Sequence, residues 1–211
     1  LYRRRQRQMC IRDRIYSKEM AHLNLMKNIN LKDKKEFFRM INYLFSQKGK
    51  EQYAGEEITV SDHMLQSATH AVNNGLSDEI IIASLFHDVG HLLLDQDIYS
   101  KYNDHEKIGA EFIKDFFSDK IFNCVRMHVD AKRYLCTKDS SYFAKLSSAS
   151  VASLKVQGGE MNKEEIKSFE KNQFFNEILL VRELDEKAKD TNFKNLELEF
   201  FITKIESIFL S

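Results

Sequence analysis

The sequence predicts an all-α chain, and three observations lead there. None of the 211 residues is proline, so the usual interior helix breaker is missing. Apolar residues recur at three- and four-residue spacings along most of the chain, the mark of amphipathic helices. No stretch shows the apolar–polar alternation of a half-buried strand.

Each element follows from a local pattern. Phe37, Phe38, Ile41, Leu44 and Phe45 form one apolar stripe. A loop carrying Tyr53 to Glu56 comes next. Ser61 is expected to cap a second helix along Leu65, Ala68 and Val72, which Gly75 stops. Ser77 caps a third, IIIASLFHD, which is expected to end near Gly90. Its near-continuous apolar character marks a buried central helix. Asp104 is expected to cap a fourth, with Ile108, Phe112, Ile113 and Phe116 facing inward. Ser118 opens a fifth, with Ile121, Val125 and His128 on one face. Residues 139–160 read as short helices and a Gly158–Gly159 turn. Asn162 and Glu165 have the spacing of a capping box. Two longer helices close the chain, roughly over 173–188 and 194–209.

The first fourteen residues, LYRRRQRQMCIRDR, stand apart. A basic arm commonly serves as a nucleic-acid or membrane tail, but no apolar region of a targeting signal follows it. The string resembles translated sequencing-adapter readthrough and is left out of the fold argument. Residues 15–211 are then read as a single domain, without internal repeat or Gly/Ser linker. Formal net charge is zero overall. The arm carries six Arg and one Asp, so the remainder is about five units negative. That charge argues against a nucleic-acid partner, and no apolar run approaches the length of a membrane span. Cys10, Cys124 and Cys136 are odd in number and form no CxxC. This suits a reducing cytoplasm without a disulfide framework. Nothing in the sequence reads out an oligomeric state.

Seven histidines occur: His22, His63, His70, His87, His91, His105 and His128. A lone histidine on an amphipathic helix is ordinarily a surface or core residue, and His22 and His70 keep that reading. His87–Asp88 differs, because it ends the most apolar helix. A buried aspartate needs a compensating partner, and a metal cation is an obvious one. His63 lies upstream on its own helix; His105, His128 and Asp185 lie downstream on three more. Side chains from separate helices can meet in a bundle core, as at other helical metal sites.

The series His63, His87–Asp88, His105, His128, Asp185 resembles the HD-domain superfamily in its six-ligand, two-metal form. The resemblance implies an HD-domain helical bundle. It also implies that Asp88 bridges two metals, with His63, His87 and Asp185 completing one site and His105 and His128 the other. A site of two histidines, one shared carboxylate and open positions suits non-haem iron and dioxygen. Magnesium alone would call for more oxygen ligands.

Longer segments narrow the resemblance. QYAGEEITVSDHMLQSA, HDVGH, MHVDAKRYLC, LSSASVASLKVQGGEM and VRELDEKAK resemble the mixed-valence diiron oxygenases that cleave organophosphonates, over roughly residues 30 to 190. Ser148 stands where related sequences often have proline. The resemblance implies an Fe(II)/Fe(III) pair with dioxygen as co-substrate. The expected substrate is 2-amino-1-hydroxyethylphosphonate, and the products are glycine and phosphate. Lys132, four residues after His128, and Arg182, three before Asp185, share helical faces with those ligands. Two such cations would bind a phosphonate dianion; the bland alternative is a pair of solvated charges. His91, one turn past Asp88, would hydrogen-bond substrate or relay a proton, or simply face the helix dipole. Ser150 and Gln157 would add hydrogen bonds. In the resembling enzymes a tyrosine at the place of Tyr53 fills an open iron position until substrate displaces it. A glutamate at the place of Glu56 recognises the substrate amine. Otherwise both belong to an ordinary loop.

A C–P bond has no bridging oxygen to protonate, so activated water is poorly placed to expel carbon. Oxidation of the hydroxylated carbon weakens the bond instead, with the redox chemistry belonging to the cofactor. Two other readings stay open. A metal-dependent HD phosphohydrolase would use the same cations without dioxygen and would leave Tyr53 and Glu56 unexplained. A non-catalytic ligand-sensing HD module would leave the six candidate ligands unexplained.

Overall fold

The computed structural model describes residues 33–53, 55–94 and 104–210. The N-terminal fourteen residues, Cys10 and His22 lie outside that range. Backbone contacts divide the chain into two compact units, residues 1–41 and 42–211. Helix α1 (Lys34–Ser46) runs across the division, and everything below concerns the second unit. There, α2 (Val60–Asn73), α3 (Asp78–Phe86), the short α4 (Val89–Leu93), α5 (His105–Ile113) and α6 (Asp119–Lys138) follow in order. They are succeeded by α7 (Ser140–Lys145), α8 (Ser148–Val156), α9 (Lys163–Phe169), α10 (Phe175–Lys187) and α11 (Leu198–Ile208). Among the described residues there is no strand, only one isolated bridge between Gln52 and Thr59. The all-α expectation holds.

Helix α3 occupies the centre and packs against α2, α6, α10 and α11. Every residue from Ile80 to Phe86 is buried. A helix apolar all round has to be enclosed on all sides, and each buried Ile, Leu or Phe contributes roughly 1.5–3 kcal/mol. Ser77 caps it as expected, accepting from the Ile80 amide. It stops earlier than expected, at Phe86. A break at His87–Asp88 follows, and α4 carries the chain through Gly90 to Leu93. His87 keeps helical dihedrals (φ −54°, ψ −39°), and the departure comes at Asp88 (φ −105°, ψ 11°).

Several caps differ from the sequence reading. Thr59 caps α2, accepting from the Asp62 amide, in place of Ser61. The Ser61 hydroxyl instead donates to the Phe45 carbonyl at 2.7 Å, tying α2 to the end of α1. Asp104 and Ser118 hold N-cap positions without capping through their side chains. Ser118 gives its hydroxyl to Glu79 at 2.5 Å. The Asn162–Glu165 capping box is complete. Ser148 is the first residue of α8, the position where proline is readily accommodated, so its replacement of proline leaves the helix start intact. The closing helices are each a little shorter than expected.

Two glycines let α4 and α5 touch. A Cβ at Gly90 would lie 1.9 Å from the His105 carbonyl oxygen. Gly109, on α5, faces Gly90 and Val89 in turn. This close approach positions His105, the first residue of α5, beside Asp88. No described helix is long and apolar enough to cross a membrane. Cys124 and Cys136 are buried free thiols.

Candidate active site

The six residues of the histidine–aspartate series converge, and all are buried. They come from α2 (His63), the α3–α4 break (His87, Asp88), the start of α5 (His105), the middle of α6 (His128) and the last turns of α10 (Asp185). Asp88 is the pivot. Its Oδ2 lies 3.6 Å from His63 Nε2 and 3.5 Å from His87 Nε2. Its Oδ1 lies 3.3 Å from both His105 Nε2 and His128 Nε2. Each carboxylate oxygen therefore faces its own histidine pair. Asp185 Oδ1 joins the first pair, 3.2 Å from His63 Nε2 and 3.7 Å from His87 Nε2.

The outward nitrogens determine what the inward ones can be. His63 Nδ1–H donates to the Ala188 carbonyl at 2.7 Å. His87 Nδ1–H donates to Ser84 and His128 Nδ1–H to Val125, both at 2.8 Å. A carbonyl only accepts, so these Nδ1 atoms carry the hydrogens, and in neutral rings the Nε2 atoms present lone pairs. Yet His63 Nε2 and His87 Nε2 lie 3.1 Å apart, as do His105 Nε2 and His128 Nε2. For His63 and His87, facing lone pairs beside carboxylates call for a positive charge between them, a proton or a metal ion. Separations of this size also suit donors sharing one ion at bonds of about 2.1 Å. Donor atoms of His63, His87 and Asp88 all lie within 4.8 Å of one another, as do those of Asp88, His91 and His105. The donor set fits a metal site.

The electrostatics agree. Burial opposes charge on His87, but Asp88 and Asp185 override it and raise its pKa to about 10. The corner thus draws positive charge. Burial likewise disfavours ionised Asp88 and Asp185, yet both are held well below the usual carboxylate range. His87 and His91 act on Asp88, and Arg182 and His87 on Asp185. His91 is stacked on His105, with ring centres 3.9 Å apart, and its Nε2 is 3.9 Å from Asp88 Oδ1. Burial, then the charge of His105, pushes its pKa well below 6.5, so it is a neutral base.

A cavity opens beside this cluster, and every residue singled out from the sequence for substrate contact lines it. The Tyr53 hydroxyl donates to Asp88 Oδ2 at 2.7 Å, and its ring stacks on His63 at 4.3 Å. Burial and then the Asp88 charge keep that phenol protonated. Lys132, buried on α6, donates to Ser153 Oγ at 2.6 Å and Gln157 Oε1 at 2.9 Å. Burial, reinforced by Arg182, lowers its pKa to about 7. Arg182 donates to Asp185, Glu186 and the Tyr142 hydroxyl. These bonds use three of its five N–H groups. Glu56 Oε1 accepts from Ser147 Oγ at 2.6 Å.

Sequence reading missed Lys189, whose ammonium donates to Ser150 Oγ at 2.9 Å inside the cavity. It lies two residues past the end of α10, so helical spacing from Asp185 does not announce it. Tyr142 reaches Arg182 from α7, and no local pattern announces it. Gly90 was read as a helix stop, and its close approach to His105 emerges only from the packing.

The HD domain family model matches residues 60–166, half of the chain. A [1-hydroxy-2-(trimethylamino)ethyl]phosphonate dioxygenase (glycine-betaine-forming) from Leisingera caerulea is 42% identical over 170 residues, covering 79% of this chain and 87% of that protein. A hydroxymethylphosphonate dioxygenase from Gimesia maris is 36% identical over 164 residues, covering 74% and 81% respectively. An uncharacterized protein, L432, of Acanthamoeba polyphaga mimivirus is 36% identical over 152 residues, 69% of each chain. Fold and site define an HD-domain protein, and the chain belongs more narrowly to the HD-domain phosphonate oxygenase family. It is an enzyme of the dioxygenase type.

Proposed function

We propose that this enzyme oxidatively cleaves the C–P bond of a 1-hydroxyalkylphosphonate with a cationic group on the next carbon. The best-fitting substrate is 2-amino-1-hydroxyethylphosphonate. The observation that carries this reading is the division of Asp88, one carboxylate oxygen to each histidine pair. His63, His87 and Asp185 with Asp88 Oδ2 would hold one iron, and His105 and His128 with Asp88 Oδ1 the other. An Fe(II)/Fe(III) pair held there supplies the redox chemistry by which dioxygen oxidises the carbinol carbon.

The remaining roles belong to side chains. Lys132 and the free N–H groups of Arg182 bind the phosphonate oxygens, Arg182 being shaped for paired contacts. Gln157 orients those contacts through Lys132, and Ser150, whose hydroxyl accepts from Lys189, adds a hydrogen bond to the substrate. Neutral His91 accepts a hydrogen bond from the substrate hydroxyl. The Tyr53 phenol releases Asp88 as the substrate arrives, and the surrounding helices keep water away from the reacting carbon. Substrate and one dioxygen balance to glycine and phosphate, each product gaining one oxygen atom.

Both named relatives act on 1-hydroxylated phosphonates, one with a trimethylamino group and one with no amine. Glu56 suits a cation on charge grounds. A trimethylated nitrogen has no N–H to donate to that carboxylate, and such groups are usually met by aromatic cages. Among the described residues of the cavity, Tyr53 is the only Phe, Tyr or Trp. The primary amine is therefore the better match. Iron-loaded protein given 2-amino-1-hydroxyethylphosphonate in air should release glycine and phosphate together while consuming dioxygen. Equal phosphate release under strict anoxia would replace this reading with hydrolysis.

A further inference from the structure

Glu56 does not face the cavity alone. Lys189 Nζ lies 3.5 Å from Glu56 Oε1, the same oxygen that accepts from Ser147. Lys189 also pairs with Glu186 Oε1 at 2.8 Å. The other Glu186 oxygen is taken by Arg182. A row of alternating charge thus runs Arg182, Glu186, Lys189, Glu56. Lys189 and Glu56 side chains are 15% and 14% exposed, so solvent screens their interaction only in part.

We propose that Lys189 is a specificity-setting residue whose resident ammonium competes with a cationic substrate for Glu56. This rests on the reading above that Glu56 faces the cationic end of the substrate. A ligand bearing an ammonium has to share the Glu56 carboxylate with Lys189 and bears the repulsion between two like charges. A ligand without one leaves the Glu56–Lys189 pair intact. Lys189 therefore holds the preference for cationic substrates below the level Glu56 alone would impose. Removing its charge weakens the attraction for any phosphonate dianion equally, whatever lies at the far end. The competition at Glu56 thus shows only in the ratio of two affinities.

The test is a binding measurement on the iron-loaded full chain under strict anoxia, by calorimetry, so no turnover enters. The probes are 2-amino-1-hydroxyethylphosphonate and 1-hydroxyethylphosphonate, which differ only in the ammonium. Lys189→Met should raise the preference for the aminated probe, as a ratio of Kd values, about tenfold. Lys189→Arg should keep the ratio of the unmodified protein. If Lys189→Met melts early, Lys189→Gln, which can still bond Ser150, replaces it with the same expected direction. An unchanged ratio with both Kd values shifted alike means a merely structural lysine and overturns the proposal, as does a fall in the ratio. Failure of the catalytic reading would show separately, as absent dioxygen-dependent phosphate release by the unmodified protein.

Discussion

On the histidine–aspartate side of the cavity, His63, His87 and His128 are each anchored by an Nδ1–H bond to a backbone carbonyl. Two of those carbonyls lie three residues back on the same segment, and the third is at the end of α10. Elsewhere at the cavity, Lys189 meets Glu56 and Ser150, and Ser147 meets Glu56, by side-chain contacts, with the Ser150 amide bonded to Ser147 Oγ as the one backbone tie among them. Glu56 also sits on a loop. The first arrangement moves only if a helix moves, whereas the second can change by rotation of a few side chains. Donor geometry is thus built into the packing, and the Glu56 side, proposed above to meet the substrate's cationic end, is left adjustable. Relatives that take differently substituted phosphonates are consistent with that division of labour.

The largest effect is expected from Asp88, which serves both histidine pairs. Asp88→Asn leaves four converging imidazoles without their shared charge. Loss of one member of a buried charged cluster is on the order of 4 kcal/mol, so turnover should fall about a thousandfold. Iron content measured alongside should fall with it; full iron and full turnover would break the account of the packed side. Next comes Gly90→Ala, aimed at the same side through the backbone. The added methyl has to displace the His105 carbonyl. Such overpacking costs about 1–3 kcal/mol. The melting temperature should drop by several degrees and iron should be bound more weakly, although Gly90 carries no ligand. An unaltered melt and iron content would show that α4 and α5 separate freely.

A smaller, pH-dependent effect belongs to Lys132, the lysine proposed to bind the phosphonate. Burial, aided by Arg182, has lowered Lys132 to about 7. On the proposed role the charged form attracts the phosphonate, so its contribution to binding is full below that value and fades as pH rises through it. For stability the sign reverses. Unfolded lysine keeps its proton to about pH 10.4, so between about 7 and 10 the unfolded chain binds more protons and this group favours folding increasingly with pH. Lys132→Arg stays charged throughout. Phosphonate affinity measured from about pH 6 to 9 should fall less in the variant than in the unmodified protein, by a few-fold at the upper end. Parallel profiles would remove Lys132 from the binding step.

How much was legible beforehand depends on whether a residue's signal is local. Helical periodicity placed α2, α3, α6 and α10 within a few residues. The His87–Asp88 pair stood out because a charged residue ended an otherwise apolar helix. Lys132 and Arg182 were found by spacing from candidate ligands on the same helix face, whereas Lys189 lies beyond the end of α10 and shares no such face with Asp185. Cap assignment was weaker. Thr59, Ser61 and Asp62 are adjacent and chemically alike, and the choice turned on the Phe45 carbonyl, a partner far away in sequence that took the Ser61 hydroxyl.

By itself, the sequence determined an all-helical chain with one conspicuously apolar helix, and a set of histidines and aspartates on separate segments. Periodicity, residue identity and spacing are properties of the chain before it folds. Only the tertiary structure decided that Asp88 gives one oxygen to each histidine pair, that Gly90 admits the His105 backbone, and that Lys189 lies beside Glu56. Those facts depend on distances between residues as far apart in sequence as Glu56 and Lys189, and such distances exist only once the helices have packed.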